Sequence, residues 1–382
     1  MPTALTAFVF IGRRGETALE RWVNGARLAS AEDTVRQLAR LPGIDRIVAA
    51  TNDPALADRC AGWPAAWEVD PAGAPFHFGA RLAALTQAYP APAHAYFGAG
   101  CAPLLGDEAL AAAVEAVTGA DRPLAVANNP LSTDWIVFNC ADAVQARVER
   151  LGRDNALGPV LRREAGVPVR GLLACAATRA DIDTPADLFA LSLASGGGPV
   201  LGRFLRDQPP PAAMLARWRA ARDVLARVEG RLTLIGRASA SVWAEVERRT
   251  RCWVRVLSEE RGMTASGRQA AGKVRSLVAA HLERLGPNAF FQELAGLADA
   301  VFFDTRVALA HAGRWPSAGD RFASDAGLPE RIADEFLRAL TTAAVEAPIP
   351  VALGGHGVVT GDLYLLLESL TGGGDLPAPA SN

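Results

Sequence analysis

Short apolar runs alternate with helix-patterned stretches along most of this chain, and that alternation constrains its fold more than any single motif. A strand covered on both faces reads as a run of about four to eight apolar residues, and such strands separated by helices pair in parallel. In residues 1–194 the pattern predicts strands at Ala4–Ile11, Arg46–Ala50, His94–Gly98, Leu124–Ala127, Trp135–Asn139 and Val169–Ala174. Helices are predicted at Ala31–Arg40, Pro54–Gly62, Gly79–Ala88, Asp107–Thr118, Ala141–Leu151 and Pro185–Ala194. Gly196-Gly197-Gly198 and Pro209-Pro210-Pro211 break the alternation, so 195–230 reads as a linker with a short basic helix at Ala212–Val228.

The pattern restarts at Arg231. Strands are predicted at Leu232–Ile235, Trp253–Leu257, Ala300–Phe303 and Pro350–Leu353, and helices at Ser239–Arg249, Arg268–Arg284, Phe290–Leu297, Pro329–Val345 and Asp362–Leu370. The expected fold class is α/β, with two doubly wound, Rossmann-like domains (1–194 and 231–371) and mostly parallel sheets. Residues 372–382, rich in Gly, Pro, Ala and Ser, read as a disordered tail. A chain of 382 residues is too long for one ordinary core, and half of it is apolar, which suffices for two.

A formal net charge of −2 argues against electrostatic nucleic-acid binding. Lys273 is the only lysine, so no other lysine is available as phosphate clamp, base or Schiff-base nucleophile. Five scattered cysteines without a C-x-x-C pair exclude a zinc ribbon and read as reduced thiols. No signal-peptide pattern and no apolar run of ~18 residues is present, so a cytoplasmic, non-membrane protein is expected. A homodimer is left open.

The densest motif is Asp181-Ile182-Asp183-Thr184-Pro185-Ala186-Asp187-Leu188. Thr184 suits an N-cap, Pro185 the first helical position and Asp187 the positive helix terminus. Two carboxylates two residues apart, Asp181 and Asp183, suit a hard cation such as Mg²⁺. A well-capped helix with acidic decoration is the plain structural alternative. In an open parallel sheet, ligands bind beyond the carboxyl ends of the strands. Those ends carry Gly12-Arg13-Arg14-Gly15, Thr51-Asn52-Asp53-Pro54, Gly98-Ala99-Gly100-Cys101-Ala102-Pro103, and the Asp181/Asp183 pair. Glycines admit phosphate to backbone N–H groups, arginines neutralise it, and carboxylates hold the metal that bridges it. Asn128-Asn129 and Asp134 suit acceptor contacts or an ordinary turn, and Asp154-Asn155 a helix cap.

With the Gly/Arg loop after the first strand, Thr51-Asn52-Asp53 after the second, a helix from Gly79 leading into a strand that ends in a Pro103-Leu104-Leu105 turn, and Asp181-Ile182-Asp183-Thr184-Pro185, residues 4–194 resemble a nucleotidyltransferase of the glycosyltransferase-A-like fold. Within that group they are most similar to molybdenum-cofactor guanylyltransferase and 2-phospholactate guanylyltransferase relatives. The resemblance implies a nucleotide-diphospho-sugar-transferase-like first domain with a role in cofactor biosynthesis. It implies attack on the α-phosphate of an NTP by an oxygen of a phosphorylated small molecule, with Mg²⁺ and pyrophosphate release. It implies Arg13, Arg14 and Asp183 as catalytic residues and Gly12, Gly15, Asn52, Arg81 and Gly100 as nucleotide-binding ones. Asp181 and Asp183 become the metal ligands. Two departures stand out: the first loop is short and has no lysine, and Gly100-Cys101-Ala102 occupies the place of a metal-binding Asp. A rival expectation follows, of a degenerate nucleotide-binding module fused to a domain that binds or hydrolyses a phosphorylated small molecule.

The second half resembles no family. Its predicted strand ends carry Arg237, then Glu259, Glu260 and Arg261, then Asp304 and Arg306, then His356. The carboxylates and the histidine suit a metal or acid–base work, and the arginines suit phosphate or carboxylate. The long stretch His311–Ala326 reads as a lid.

Overall fold

The computed structural model describes residues 5–12, 15–71, 73 and 75–370. Arg13, Arg14 and the predicted tail lie outside the described residues. The chain forms an α/β structure with two sheets. The strands of the first are β1 (Leu5–Ile11), β2 (Ile44–Thr51), β3 (Ala66–Val69), β4 (Ala93–Gly98), β5 (Ala125–Ala127), β6 (Trp135–Phe138) and β7 (Val169–Gly171). Their order is β3-β2-β1-β4-β6-β5-β7. All neighbours pair in parallel except β6, which runs antiparallel to both β4 and β5. β1 is central and buried along its whole length, with Val9 between Ala49 and Phe97.

Both faces of this sheet are covered. Val35 and Leu38 of helix Ala18–Leu38, with Leu110 and Val114 of helix Asp107–Thr118, pack on one side. Phe78 and Leu82 of helix Phe78–Ala88, with Leu157 and Leu161, pack on the other. The first helix begins 13 residues earlier than the expected Ala31, because Thr17 and Glu20 form a capping box.

The second sheet contains β8 (Arg231–Gly236), β9 (Trp253–Ser258), β10 (Ala300–Asp304) and β11 (Val351–Gly354). Its order is β11-β10-β8-β9 and every pairing is parallel. The stretch 195–230, read from sequence as mostly linker, holds two helices, Pro199–Asp207 and Ala212–Leu225. Helix Pro185–Ala194 and Trp218 pack into the core that covers one face of the second sheet. There the Trp218 ring stacks on Phe189 at 5.8 Å and meets Phe302 edge-on at 6.1 Å. Helix Ala18–Leu38 links the two halves: Val23 and Ala26 lie in this core, and Val35 and Leu38 in the one on the first sheet. Among the described residues no single helix is long and apolar enough to cross a membrane.

Helix Pro199–Asp207 is tied back to the first helix. Asp33 accepts hydrogen bonds from Val200 N at 3.0 Å and Leu201 N at 2.9 Å, satisfying two donors that the helix leaves open. Asp33→Ala is expected to cost about 1 kcal/mol, read as a lower urea midpoint at unchanged slope.

Candidate active site

The sequence Asp-Ile-Asp places its outer side chains on one side of an extended segment and Ile182 on the other. Ile182 is fully buried, and the Asp181 and Asp183 side chains face a cavity of about 580 Å³. The segment is held by a bridge between Cys101 and Asp181, and Ile182 N donates to Gly100 O at 3.1 Å. Gly100 turns at φ +91°, and a Cβ there would lie 3.0 Å from Arg27 Cγ and from Ile182 O. Gly100 thus closes the loop on the acidic segment, and Gly15 turns beside the capping Glu20. Gly12, Asn52, Arg81, Asp181 and Asp183 all line the same cavity, at the carboxyl ends of β1, β2 and β4. Arg81 is engaged within the protein: its Nε lies 2.7 Å from Asp70 and its Nη2 3.5 Å from Glu68.

Arg27, which the sequence did not single out, donates from Nη1 to Asp183 Oδ1 at 3.0 Å and to Ile182 O at 2.8 Å. It fixes the backbone between the two carboxylates. Asp187 Oδ2 accepts from Asp183 N at 2.8 Å and Thr184 N at 2.6 Å, so the capping box at Thr184 also sets the Asp183 main chain. Burial, and then the charge of Asp183, push the Asp181 carboxyl well above its usual range. The deeper wall adds Asp134 and Asp154. Asp134 accepts from Asn128 at 2.7 Å and from Asn155 at 2.9 Å, and Tyr96 donates to Asp154 at 2.9 Å. Burial, and then Asp154, raise Asp134 to about 7.

The cavity is lined by more carboxylates than arginines, hard oxygen donors of the kind that a divalent cation takes. Among the described residues no group of three or more His, Cys, Asp or Glu is arranged to hold a metal. Asp181 and Asp183 offer a two-carboxylate edge, which is how Mg²⁺ is commonly held when phosphates and waters complete its shell. Cys101 stands where the resemblance places a further Asp. Burial, and then the charge of Asp181, push its thiol well up, so it remains a neutral wall and not a thiolate ligand.

The carboxyl edge of the second sheet sorts its expected residues into two groups. Arg306 forms a buried fork with Asp325, at 2.6 and 2.5 Å. Glu259 accepts from Ser276 Oγ and, at 2.7 Å, from Leu277 N, at the start of helix Leu277–Leu285. Glu260 accepts from Arg275 N at 3.1 Å and lies 3.2 Å from Arg268. These three are engaged structurally, which corrects their reading as site residues. Arg237, Arg261, Asp304 and His356 stand at or just beyond the ends of β8, β9, β10 and β11, and Arg237 pairs with Asp304 at 2.6 Å. The expected lid is also corrected: helix Ala318–Asp325 occupies that stretch and buries Ala323, Ser324 and Asp325.

His356 is exposed at the surface, and desolvation of its ring by the surrounding chain, and then the charge of Arg237, push its pKa down to about 4. The unfolded chain takes up this proton near pH 6.5. The stabilisation from a neutral ring is therefore complete above that pH and is lost as the pH falls towards 4. His356→Asn is expected to flatten the fall in Tm between pH 6.5 and 4 relative to wild type, measured by thermal scans across that range.

No family model matches the chain. No curated protein matches it. Among solved structures, a nucleotide-diphospho-sugar transferase described as putative from Desulfovibrio desulfuricans G20 is 16% identical, covers 53% of this chain and 94% of its own, and has a TM-score of 0.38. A cytidylyltransferase from Leptospira borgpetersenii is 14% identical, over 55% of this chain and 95% of its own, with a TM-score of 0.39. A homologue of Mycobacterium tuberculosis rv0371c from Mycobacterium sp. strain JC1 is 19% identical, over 53% and 98%, with a TM-score of 0.32.

Proposed function

We propose that the first sheet binds an NTP with Mg²⁺ and transfers its nucleotidyl group to an oxygen of a phosphorylated small molecule, releasing pyrophosphate. The convergence of Asp181 and Asp183 with Gly12 and Asn52 in one cavity beyond the strand ends carries this reading. Asp181 and Asp183 would hold the cation, which supplies charge neutralisation to the phosphates when bound. Arg27 positions Asp183 through its hydrogen bonds to that carboxylate and to Ile182 O. Gly12 exposes main chain at the end of β1, where phosphate can approach backbone N–H groups. Asn52, at the end of β2, offers an amide for base or ribose. Asp134, Asn155 and Tyr96 form a polar wall on which the acceptor is oriented.

The degenerate-module reading has its own support. Cys101 supplies no carboxylate, and Arg27 already pairs with Asp183. The two readings separate in one assay. Each of four NTPs is incubated with Mg²⁺, the full chain and a panel of phosphorylated acceptors, and pyrophosphate is measured. Acceptor-dependent release supports transfer. Nucleotide binding without release from any pair favours the degenerate module.

A further inference from the structure

The second sheet has a topological switch point of its own. β8 is flanked by β9 and β10, the two strands that follow it in sequence, so the chain leaves its carboxyl end towards opposite sides. Such points form crevices that hold ligands. Four loops meet here, and three of the side chains they bring are available to a ligand.

Arg237 is the best oriented. Asp304 is fully buried and takes Nε of Arg237 on one oxygen at 2.6 Å and Nη2 on the other at 3.1 Å. That side-on fork fixes the guanidinium plane and leaves Nη1 on its far side, without a partner among the described residues. The approach is close: Gly236 turns at φ +122° directly against the Asp304 side chain, where a Cβ would collide. Burial would raise the Asp304 pKa, but the charge and hydrogen bonds of Arg237 hold it below the usual range, so this carboxylate stays ionised and keeps the fork closed.

Arg261 follows β9. Its guanidinium is exposed and makes no ion pair or hydrogen bond among the described residues. Its main chain is anchored: Arg268 Nη2 donates to Arg261 O at 2.9 Å, and Met263 is fully buried in a small apolar cluster with Val274, Val307 and Ala310. The loop therefore presents its arginine from a fixed base. His356 follows β11 and opens the short helical turn His356–Val359. One nitrogen of its neutral ring is an acceptor. Arg237, Arg261 and His356 follow β8, β9 and β11, so the parallel sheet brings all three to one carboxyl edge.

We propose that the carboxyl edge of the second sheet binds the oxyanion of a small molecule, a phosphate or a carboxylate, between Arg237 Nη1 and the Arg261 guanidinium, with His356 accepting from a hydroxyl beside it. Arg306, Glu259 and Glu260 take no part, because their polar groups are engaged elsewhere. The assignment is independent of nucleotidyl transfer at the first sheet.

The test is a thermal-shift titration of the full chain with inorganic phosphate and with glycolate, against chloride at equal ionic strength, in wild type, Arg261→Gln and Asp183→Ala. Arg261 is exposed, so its replacement leaves the fold intact. A saturable rise in Tm in wild type, weakened at least about tenfold in Arg261→Gln and retained in Asp183→Ala, is expected. A response to phosphate alone identifies a phosphorylated ligand, and one to glycolate alone a hydroxy acid. The proposal is overturned if neither anion gives a saturable shift, if Arg261→Gln binds like wild type, or if Asp183→Ala loses the response.

Discussion

Asp183→Ala is expected to lower Mg²⁺-dependent pyrophosphate release by at least about 100-fold while leaving folding nearly unchanged. Metal stabilisation of developing phosphate charge is worth several kcal/mol, and each ~1.4 kcal/mol is a factor of ten in rate. On the proposed site, losing one of the two carboxylates removes most of that stabilisation. Stability responds differently. The Asp183 side chain is 61% exposed, and an ion pair of that kind contributes about 0–1 kcal/mol. Arg27 keeps its bond to Ile182 O at 2.8 Å, so its charge is not left stranded. The two readouts are pyrophosphate release and the urea midpoint. Unchanged turnover with an unchanged midpoint would remove Asp183 from the metal site.

The second large effect lies away from that cavity. Asp325→Ala is expected to destabilise the chain by about 3–5 kcal/mol, because it leaves the Arg306 charge buried and uncompensated. Both Asp325 oxygens are bonded to Arg306, whose Nη1 also donates to Thr305 Oγ1 at 2.9 Å. Asp325 is fully buried, and the Arg306 side chain is 7% exposed. Water therefore cannot screen the loss. Replacing both partners by apolar residues of similar size, Arg306→Met with Asp325→Leu, is expected to recover most of the stability, since neither charge is then desolvated. Denaturant midpoints of the two singles and the double give the coupling directly. A double variant as unstable as the sum of the singles would show that the site needs the ion pair for more than charge balance.

The α/β class, and most strands of both sheets, were legible because a buried parallel strand leaves an uninterrupted apolar run. β3 was not: Ala66-Trp67-Glu68-Val69 is short and only partly buried, so it carries no such run. Helix Thr305–His311 was missed because Asp304, the last residue of β10, is also its N-cap, leaving no turn between them to read. Helix Arg268–Arg284 was begun too early, since Ser276 is the true cap and accepts from Ala279 N at 2.9 Å.

The same kind of signal would have found Arg27. The Thr17-x-x-Glu20 capping box starts the first helix well before Ala31, and Arg27 lies on that overlooked part, facing Asp183. Asp181 and Asp183 were readable from their spacing, whereas the partners of Arg81, Arg306, Glu259 and Glu260 were not. Asp70, Asp325, Ser276 and Arg268 are brought to them by tertiary packing, and no local pattern announces it. This is why a charged residue at a strand end reads equally well as ligand-binding or as structurally paired until its partner is known.

The central claim is that the cavity beyond β1, β2 and β4 is a Mg²⁺-dependent NTP site. The most direct measurement is the melting temperature of the full chain with ATP, GTP, CTP and UTP, each with and without Mg²⁺, in wild type and Asp183→Ala. A ligand at ~100 times its Kd adds about 2.7 kcal/mol, a readily measured shift. The account predicts a Mg²⁺-dependent rise with at least one NTP in wild type and its loss in Asp183→Ala. No rise with any NTP, or an equal rise in both proteins, would contradict it.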